Sequence, residues 1–104
     1  MRVLFHPEFA PDVQRFAAAY GEISPGLAAR FRRELDEAIE SIKQSPGSAG
    51  HFLNLGSKVV PELRRRNLRA FPFFLLYGAT SELLIFGSVI PSRSDPLTWL
   101  TRFQ

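Results

Sequence analysis

Residues 62–90 read ELRRRNLRAFPFFLLYGATSELLIFGSVI and carry most of the strand-forming sequence of the chain. They contain three strand-like runs, Glu62 to Leu68, Phe71 to Tyr77 and Leu83 to Ile90, and the last two are rich in aromatic and aliphatic side chains. The connection between these two is short enough for a hairpin, which predicts antiparallel pairing. In the first run Leu63 and Leu68 have opposite parity, so we expect a bulge or a register change between them.

Upstream of this stretch the sequence predicts a strand and then two helices. Arg2 to Phe5 is strand-like and ends at His6-Pro7, because a residue before proline is pushed out of the helical region. Apolar residues from Phe9 to Tyr20 then recur at helical spacing, and Gly21 is expected to stop that helix. Pro11 is tolerable only in the first turn of this helix.

The second predicted helix begins at Ser24-Pro25, an N-cap followed by proline at the first helical position. One face carries apolar side chains from Leu27 to Ile42, and the opposite face carries pairs of opposite charge four residues apart. These charges compensate one another, which indicates a structural role. Residues 45–58 contain Pro46 and several glycines and are predicted to form a loop.

The order of these elements, β-α-α-β-β-β, predicts an α+β fold with a small antiparallel sheet and two N-terminal helices packed on one face. A chain of 104 residues supports one core, so we expect a single domain over residues 1–104. A short segment, Leu97 to Arg102, is expected to form a last helical turn that carries Trp99.

The positive charge of the chain is concentrated in its second half. Residues 1–50 carry six Lys/Arg and seven Asp/Glu, a net charge of −1, whereas residues 51–104 carry seven and three, a net charge of +4. Four arginines, Arg64, Arg65, Arg66 and Arg69, lie within six positions. The guanidinium fork suits carboxylates and phosphates, so this run is a candidate anion-binding surface. The alternative is a run of charge that is simply a solvated face.

The composition also narrows the class of protein. The chain has no cysteine, which excludes disulfides, a thiolate nucleophile and cysteine-based metal sites, and favours the cytoplasm. No apolar run approaches the roughly 18 residues of a membrane-spanning helix, and no secretory segment is expected at the N-terminus. There is no metal-binding constellation and no glycine-rich phosphate loop, so neither a metal nor a cofactor is expected, and no small-molecule substrate.

In the last two strand-like runs, apolar side chains occupy both the odd and the even positions, so both faces of the sheet would be apolar. Two helices can cover only one of these faces. Contiguous exposed apolar patches are rare in monomers, which predicts a partner chain or self-association. An amphipathic segment that folds on binding would suit such a surface. The alternative is that the termini and the loop of residues 45–58 cover that face.

Several short motifs follow one another along nearly the whole chain, in an order known from one protein family. The first half supplies His6-Pro7-Glu8, Ser24-Pro25-Gly26-Leu27-Ala28 with Phe31, and Ile42-Lys43-Gln44-Ser45-Pro46-Gly47. The second half supplies Leu63-Arg64-Arg65, Leu68-Arg69-Ala70-Phe71-Pro72-Phe73 with Tyr77, and Arg93-Ser94-Asp95-Pro96 with Trp99 and Arg102. Together they resemble the RelE/ParE superfamily of bacterial toxin-antitoxin toxins.

The resemblance implies a small α+β toxin that a co-expressed antitoxin holds inactive. Members of the superfamily are chiefly ribosome-dependent mRNA endonucleases or ParE-like inhibitors of DNA gyrase. Endonuclease members tend to carry a histidine before the final Arg-Asp-Pro motif and an arginine after the Phe-Pro-aromatic motif. This chain has Ile90 and Pro91 at the first place and Phe74 at the second. These departures favour the ParE-like branch, which performs no chemistry of its own.

Cleavage of RNA needs groups that accept and give a proton, and the chain has only two histidines. His6 is predicted to be a structural turn residue and His51 a solvent-exposed loop residue. Arginines alone can stabilise charge on a phosphate, so an endonuclease stays an alternative, with Arg69 and Arg93 as candidate catalytic groups and Glu62 as the nearest carboxylate. A degenerate, non-toxic member and a direct nucleic-acid binder are two further alternatives.

For a gyrase inhibitor we expect two sets of contact residues. The target, gyrase or else the ribosome, would be contacted by Arg64, Arg66, Arg69, Arg93 and Arg102. The antitoxin would be contacted by Phe73, Leu75 and Tyr77, although Tyr77 is also a natural cross-strand packing residue.

Overall fold

A computed structural model describes residues 2–47, 51–53 and 62–94 of the chain. Its element order is β1 (Arg2–Phe5), α1 (Phe9–Ile23), α2 (Pro25–Gln44), β2 (His51–Leu53), β3 (Glu62–Asn67), β4 (Phe73–Ala79) and β5 (Leu83–Pro91). The predicted α+β class, with two helices ahead of the main strands, is confirmed. The predicted C-terminal turn with Trp99 lies outside the described residues.

The strands form one sheet in the order β1-β5-β4-β3-β2. The pairs β2–β3, β3–β4 and β4–β5 are antiparallel as expected, but β1 pairs with β5 in parallel, with Phe5 opposite Phe86. The sheet is therefore mixed and not wholly antiparallel. Hairpin length predicts direction only for consecutive strands, whereas β1 and β5 are joined through the helices and the rest of the sheet.

The helix boundaries follow from proline chemistry and capping. Pro11 is the third residue of α1, where a missing N–H costs no helical hydrogen bond. The helix passes through Gly21 and ends at Ile23, because Ser24, which precedes Pro25, is held in an extended conformation. Ser24 then caps α2: its Oγ accepts a 3.2 Å hydrogen bond from the Leu27 N–H.

Two local predictions for the sheet were wrong. The predicted loop of residues 45–58 contains the short strand β2, which pairs with β3. The irregularity expected between Leu63 and Leu68 is absent, since β3 pairs regularly with β4 and ends at Asn67. A bulge instead lies in β5, where Gly87 is the extra residue between the partners of Leu76 and Tyr77.

The core lies between the helices and one face of the sheet. Phe31 of α2, fully buried, has its ring centroid 5.3 Å from that of Phe71 and 5.4 Å from that of Phe73. Tyr20 of α1 packs its ring edge on Phe71 at 5.0 Å. Aromatic rings packed at tilted and edge-on angles stabilise the fold beyond what the burial of their surface contributes. This cluster therefore holds the two helices against the start of β4.

The central part of the opposite face of the sheet is also buried. Strand alternation places Phe74 and Leu76 on the face away from the helices, and neither is exposed to solvent. Leu63 of β3 and Ile90 of β5 are likewise buried within this single chain. The prediction that a partner must cover this face is therefore wrong for these residues, and the alternative, that the chain covers the face itself, agrees with their burial.

Candidate binding surfaces

The arginine run of β3 does not form one surface, because successive side chains of a strand point to opposite faces. Arg66 lies on the helix side, where its guanidinium donates a 3.1 Å hydrogen bond to Ser41 Oγ of α2. Arg64 is two residues away and shares that face. Arg65 lies on the other side, with its guanidinium carbon 4.0 Å from the centroid of the Phe74 ring.

Arg65 is held by two contacts. Its Nε donates a 3.0 Å hydrogen bond to Asn67 Oδ1, and its guanidinium covers the Phe74 ring in a cation–π geometry. Arg65 therefore serves to shield the far face of the sheet, a packing role for which a long side chain with a charged end is well suited. The sequence alone could not separate Arg65 from its neighbours, because all three residues have the same type.

Arg69 and Arg93 are brought to the same end of the sheet. Arg69 lies in the connection between the end of β3 and the start of β4, and Arg93 follows the end of β5. The two segments are tied to the same turn: the Leu68 N–H donates to the Phe73 carbonyl and the Ser92 N–H donates to the Pro72 carbonyl, both at 2.9 Å. Both arginine side chains are exposed, whereas those of Arg64 and Arg66 are half-buried.

The residues predicted to contact an antitoxin lie instead in the core. Phe73 is 8% exposed, and Leu75 and Tyr77 are not exposed at all. All three point toward the helices, and the Tyr77 hydroxyl donates a 3.4 Å hydrogen bond to the Pro46 carbonyl. This placement corrects the prediction, because side chains without accessible surface have none to offer a partner while the domain stays folded.

A different apolar surface is open in the structure. Strand β1 lies at one edge of the sheet, and its Leu4 and Phe5 are 42% and 47% exposed. Phe5 borders a groove of about 820 Å³ between the N-terminal part of α1 and α2, lined on its apolar side by Phe5, Phe9, Val13, Leu35 and Ile39. Leu4 lies on the other face of the same edge strand. An exposed edge strand beside an apolar groove is a typical site for peptide docking. The signal for it in the sequence was Leu4-Phe5, which was assigned only to a strand.

Of the two histidines, only His6 has a described side chain. His6 Nδ1 accepts a 3.1 Å hydrogen bond from the Glu8 N–H, and the His6 carbonyl accepts another from the Phe9 N–H. His6 thus shapes the turn from β1 into α1, as its sequence context predicted. His51 stands opposite Arg65 in the strand register, and its side chain, like that of Glu62, lies outside the described parts of the chain.

Residues 2–47, 51–53 and 62–94 contain neither of two other classes of site. No group of three or more His, Asp or Glu side chains there is arranged to hold a metal ion. None of the described helices is long and apolar enough to cross a membrane. Arg102, the fifth residue of the predicted target surface, falls outside these ranges.

Neither a protein-family model nor a curated protein sequence matches the chain. Among solved structures, a chain described as "Chromosomal ParDE TA system from P. aeruginosa" superimposes with a TM-score of 0.70 and 15% sequence identity. The match covers 88% of this chain and 95% of that one. The chain has the RelE/ParE-like fold. The resemblance noted in the sequence is thereby confirmed at the level of the fold, and at this identity the fold is what the match shows.

Proposed function

We propose that this protein is the toxin of a type II toxin-antitoxin module, which inhibits growth by binding a cellular protein such as DNA gyrase and is neutralised by a cognate antitoxin. The observation that carries the proposal is the RelE/ParE-like fold shared with a chain of a ParDE system over almost its full length. The sequence motifs that suggested the same superfamily support it independently.

The target surface of the proposed toxin is the end of the sheet that carries Arg69 and Arg93. Two exposed guanidinium groups there can form charge-assisted hydrogen bonds with carboxylates or phosphates on a larger partner. Arg64 and Arg66 extend this positive region along the helix side of β3, and Ser41 orients the second of them. The positive net charge of the second half of the chain would also speed encounter with an acidic target.

Binding without catalysis is favoured by the structural roles of two candidate proton-transfer groups, His6 and Glu34. His6 is used as a turn acceptor at the start of α1. Glu34, the carboxylate next to the Arg69 turn, accepts backbone hydrogen bonds. Nδ1 of His6 and both carboxylate oxygens of Glu34 therefore serve to hold local backbone geometry, which is a structural role for each group.

The second candidate function is a ribosome-dependent mRNA endonuclease. It draws support from the joint position of Arg69 and Arg93, since two guanidinium groups at one site could stabilise negative charge on a phosphate during cleavage. A degenerate family member that has lost toxicity is the third. All three share the fold, so growth and biochemical assays have to separate them.

The proposed antitoxin contact moves to the exposed edge of the sheet. An amphipathic antitoxin segment could place apolar side chains on Phe5 and in the adjoining groove. The charged residues that line the groove have both signs, Arg32 and Lys43 beside Asp36 and Glu40, and Lys43 is paired with Glu40 at 3.3 Å. A segment of this kind pays its ordering entropy on binding, so it needs a large contact area.

The test is expression of the protein alone from a tight promoter, with and without the protein encoded by the adjacent gene. The proposal expects growth arrest that the second protein relieves, and stalled supercoiling when purified toxin is added to gyrase. Normal supercoiling at stoichiometric excess together with new mRNA 5′ ends in primer extension would replace the gyrase proposal by the endonuclease. Unimpaired growth at verified expression would contradict both.

A further inference from the structure

The turn that carries Arg69 is fastened to α2 by a single carboxylate. Glu34 accepts the Arg69 N–H at 2.7 Å on Oε2 and the Ala70 N–H at 3.0 Å on Oε1. A carboxylate that accepts two consecutive backbone N–H groups forms charge-assisted hydrogen bonds, which are stronger than those between neutral groups. Glu34 lies 35 positions before Arg69 and 36 positions before Ala70 in the sequence, so the contact is long-range.

Other backbone donors of this turn bond within the turn or are missing. The Leu68 N–H donates to the Phe73 carbonyl and the Phe73 N–H donates to the Phe71 carbonyl, which closes the turn within itself. Pro72 has no N–H to donate. The N–H groups of Arg69 and Ala70 point instead toward α2, and Glu34 is their partner there.

The same face of α2 holds the next residue of the turn. Phe31, one helical turn before Glu34, packs its ring against Phe71 at a centroid distance of 5.3 Å. The ring contact fixes the distance between the turn and α2, and the two hydrogen bonds fix its orientation. Hydrogen bonds are directional, whereas apolar packing alone permits rotation and sliding.

We propose that Glu34 is a positioning residue, which acts through the backbone of Arg69 and Ala70 to aim the Arg69 guanidinium at the target. The inference rests on the proposed function for the identity of the surface, and it adds a residue on α2 that carries no direct contact with the target. Because Arg69 and Arg93 share one end of the sheet, a small rotation of the Arg69 turn would separate two groups that have to act on one partner.

The test compares Glu34→Ala with Glu37→Ala in the full-length protein. Both substitutions remove one negative charge from α2, and Glu37 lies in the next turn, bordering the same shallow cavity of about 380 Å³ as Glu34, Arg66 and Arg69. Amide hydrogen exchange followed by NMR reports on the turn directly. We expect the Arg69 and Ala70 amides to exchange about tenfold faster in Glu34→Ala and to stay unchanged in Glu37→Ala.

Conservative variants distinguish positioning from general loss of structure. Glu34→Gln keeps a carbonyl oxygen that can accept one N–H, so its exchange rates should fall between those of the wild type and Glu34→Ala. Glu34→Asp keeps the charge but is one methylene shorter, so it should behave like Glu34→Ala. Thermal unfolding checks that every variant folds. The proposal would be overturned if the amide exchange rates followed the charge of residue 34 and not the length of its side chain, with Glu34→Asp resembling the wild type and Glu34→Gln resembling Glu34→Ala.

The second readout is growth inhibition at matched protein levels, measured as the inducer concentration that halves the growth rate. Glu34→Ala should need about fivefold more inducer, in line with partial loss of one charge-assisted contact, and Glu34→Gln should restore part of the effect. Faster amide exchange with unchanged inhibition would overturn the positioning role. A wild-type protein that does not inhibit growth would contradict the proposed function, and amide exchange alone would then decide whether Glu34 holds the turn.

Discussion

The hydroxyl of Ser88 in β5 donates a 2.9 Å hydrogen bond to the carboxylate of Asp12 in α1, and both side chains are buried. Asp12 also accepts a 3.2 Å hydrogen bond from the exposed Arg15 guanidinium, one turn further along the helix. Asp12 lies in the first turn of α1, where the helix dipole favours negative charge. The bulge at Gly87 immediately precedes Ser88, so the irregularity of the sheet and the anchor of the helix are adjacent.

Replacement of Ser88 by alanine is expected to destabilise the protein by about 1–3 kcal/mol, because a buried carboxylate loses a hydrogen-bond donor. Urea unfolding followed by circular dichroism measures the change. Ser81→Ala, at an exposed site in the β4–β5 turn, is the matched control and should stay within about 0.5 kcal/mol of the wild type. Equal stability of the two variants would show that the Ser88–Asp12 bond contributes nothing.

Phe31 is expected to be the most sensitive position of the aromatic cluster. It is fully buried and contacts Tyr20, Phe71 and Phe73, so Phe31→Ala should cost about 3–5 kcal/mol. Phe31→Leu retains most of the volume and should cost clearly less. The exposed Ile23, replaced by alanine, provides the control for loss of apolar volume on a helix. Urea midpoints of the three variants test the order, and a Phe31→Ala protein as stable as the control would contradict it.

Burial raises the pKa of the Tyr20 hydroxyl above its ordinary value of 10.0. The folded state therefore holds this proton more tightly than the unfolded chain does. The contribution to stability is complete below the unfolded pKa and is lost as the pH rises through the folded one. The free energy of unfolding of the wild type should thus fall more steeply above about pH 10 than that of Tyr20→Phe. Urea titrations at neutral and alkaline pH measure both slopes, and parallel slopes would contradict the assignment.

Charge reversal at the end of the sheet should abolish the proposed target contact. Arg69→Glu and Arg93→Glu each replace an attractive contact by a repulsive one, so each should reduce target affinity by about tenfold or more. Arg2→Glu makes the same change at the exposed start of the edge strand β1, which pairs with the start of β5, whereas Arg93 follows the end of β5. Growth inhibition at matched expression is the measurement. Equal loss in all three variants would point to net charge and not to a defined surface.

The local elements of this protein could be predicted from its sequence, because each depends on a short-range rule. The strand at Arg2–Phe5, the Ser24-Pro25 start of α2 and the β4–β5 hairpin are set by proline geometry, capping and connection length, which act within a few residues. The end of α1 was missed by two residues, since the extended conformation of Ser24 and not the flexibility of Gly21 ends that helix.

The site needed the tertiary structure, because accessibility depends on what lies above each strand face. Phe73, Leu75 and Tyr77 looked available only while the position of the helices was unknown. Three consecutive arginines suggested one cluster, but because side chains alternate along β3, Arg65 lies on the opposite face from Arg64 and Arg66.

Sequence patterns alone were enough to predict the α+β class, the order of the main elements, the excess of arginine in the second half and the resemblance to the RelE/ParE superfamily. The parallel pairing of β1 with β5, the position of Arg69 and Arg93 at one end of the sheet, and the hydrogen bonds from the Arg69 turn to Glu34 became apparent only from the packed structure. Composition and spacing record what each segment prefers, whereas these three features bring together residues far apart in the chain and form only when the segments pack together.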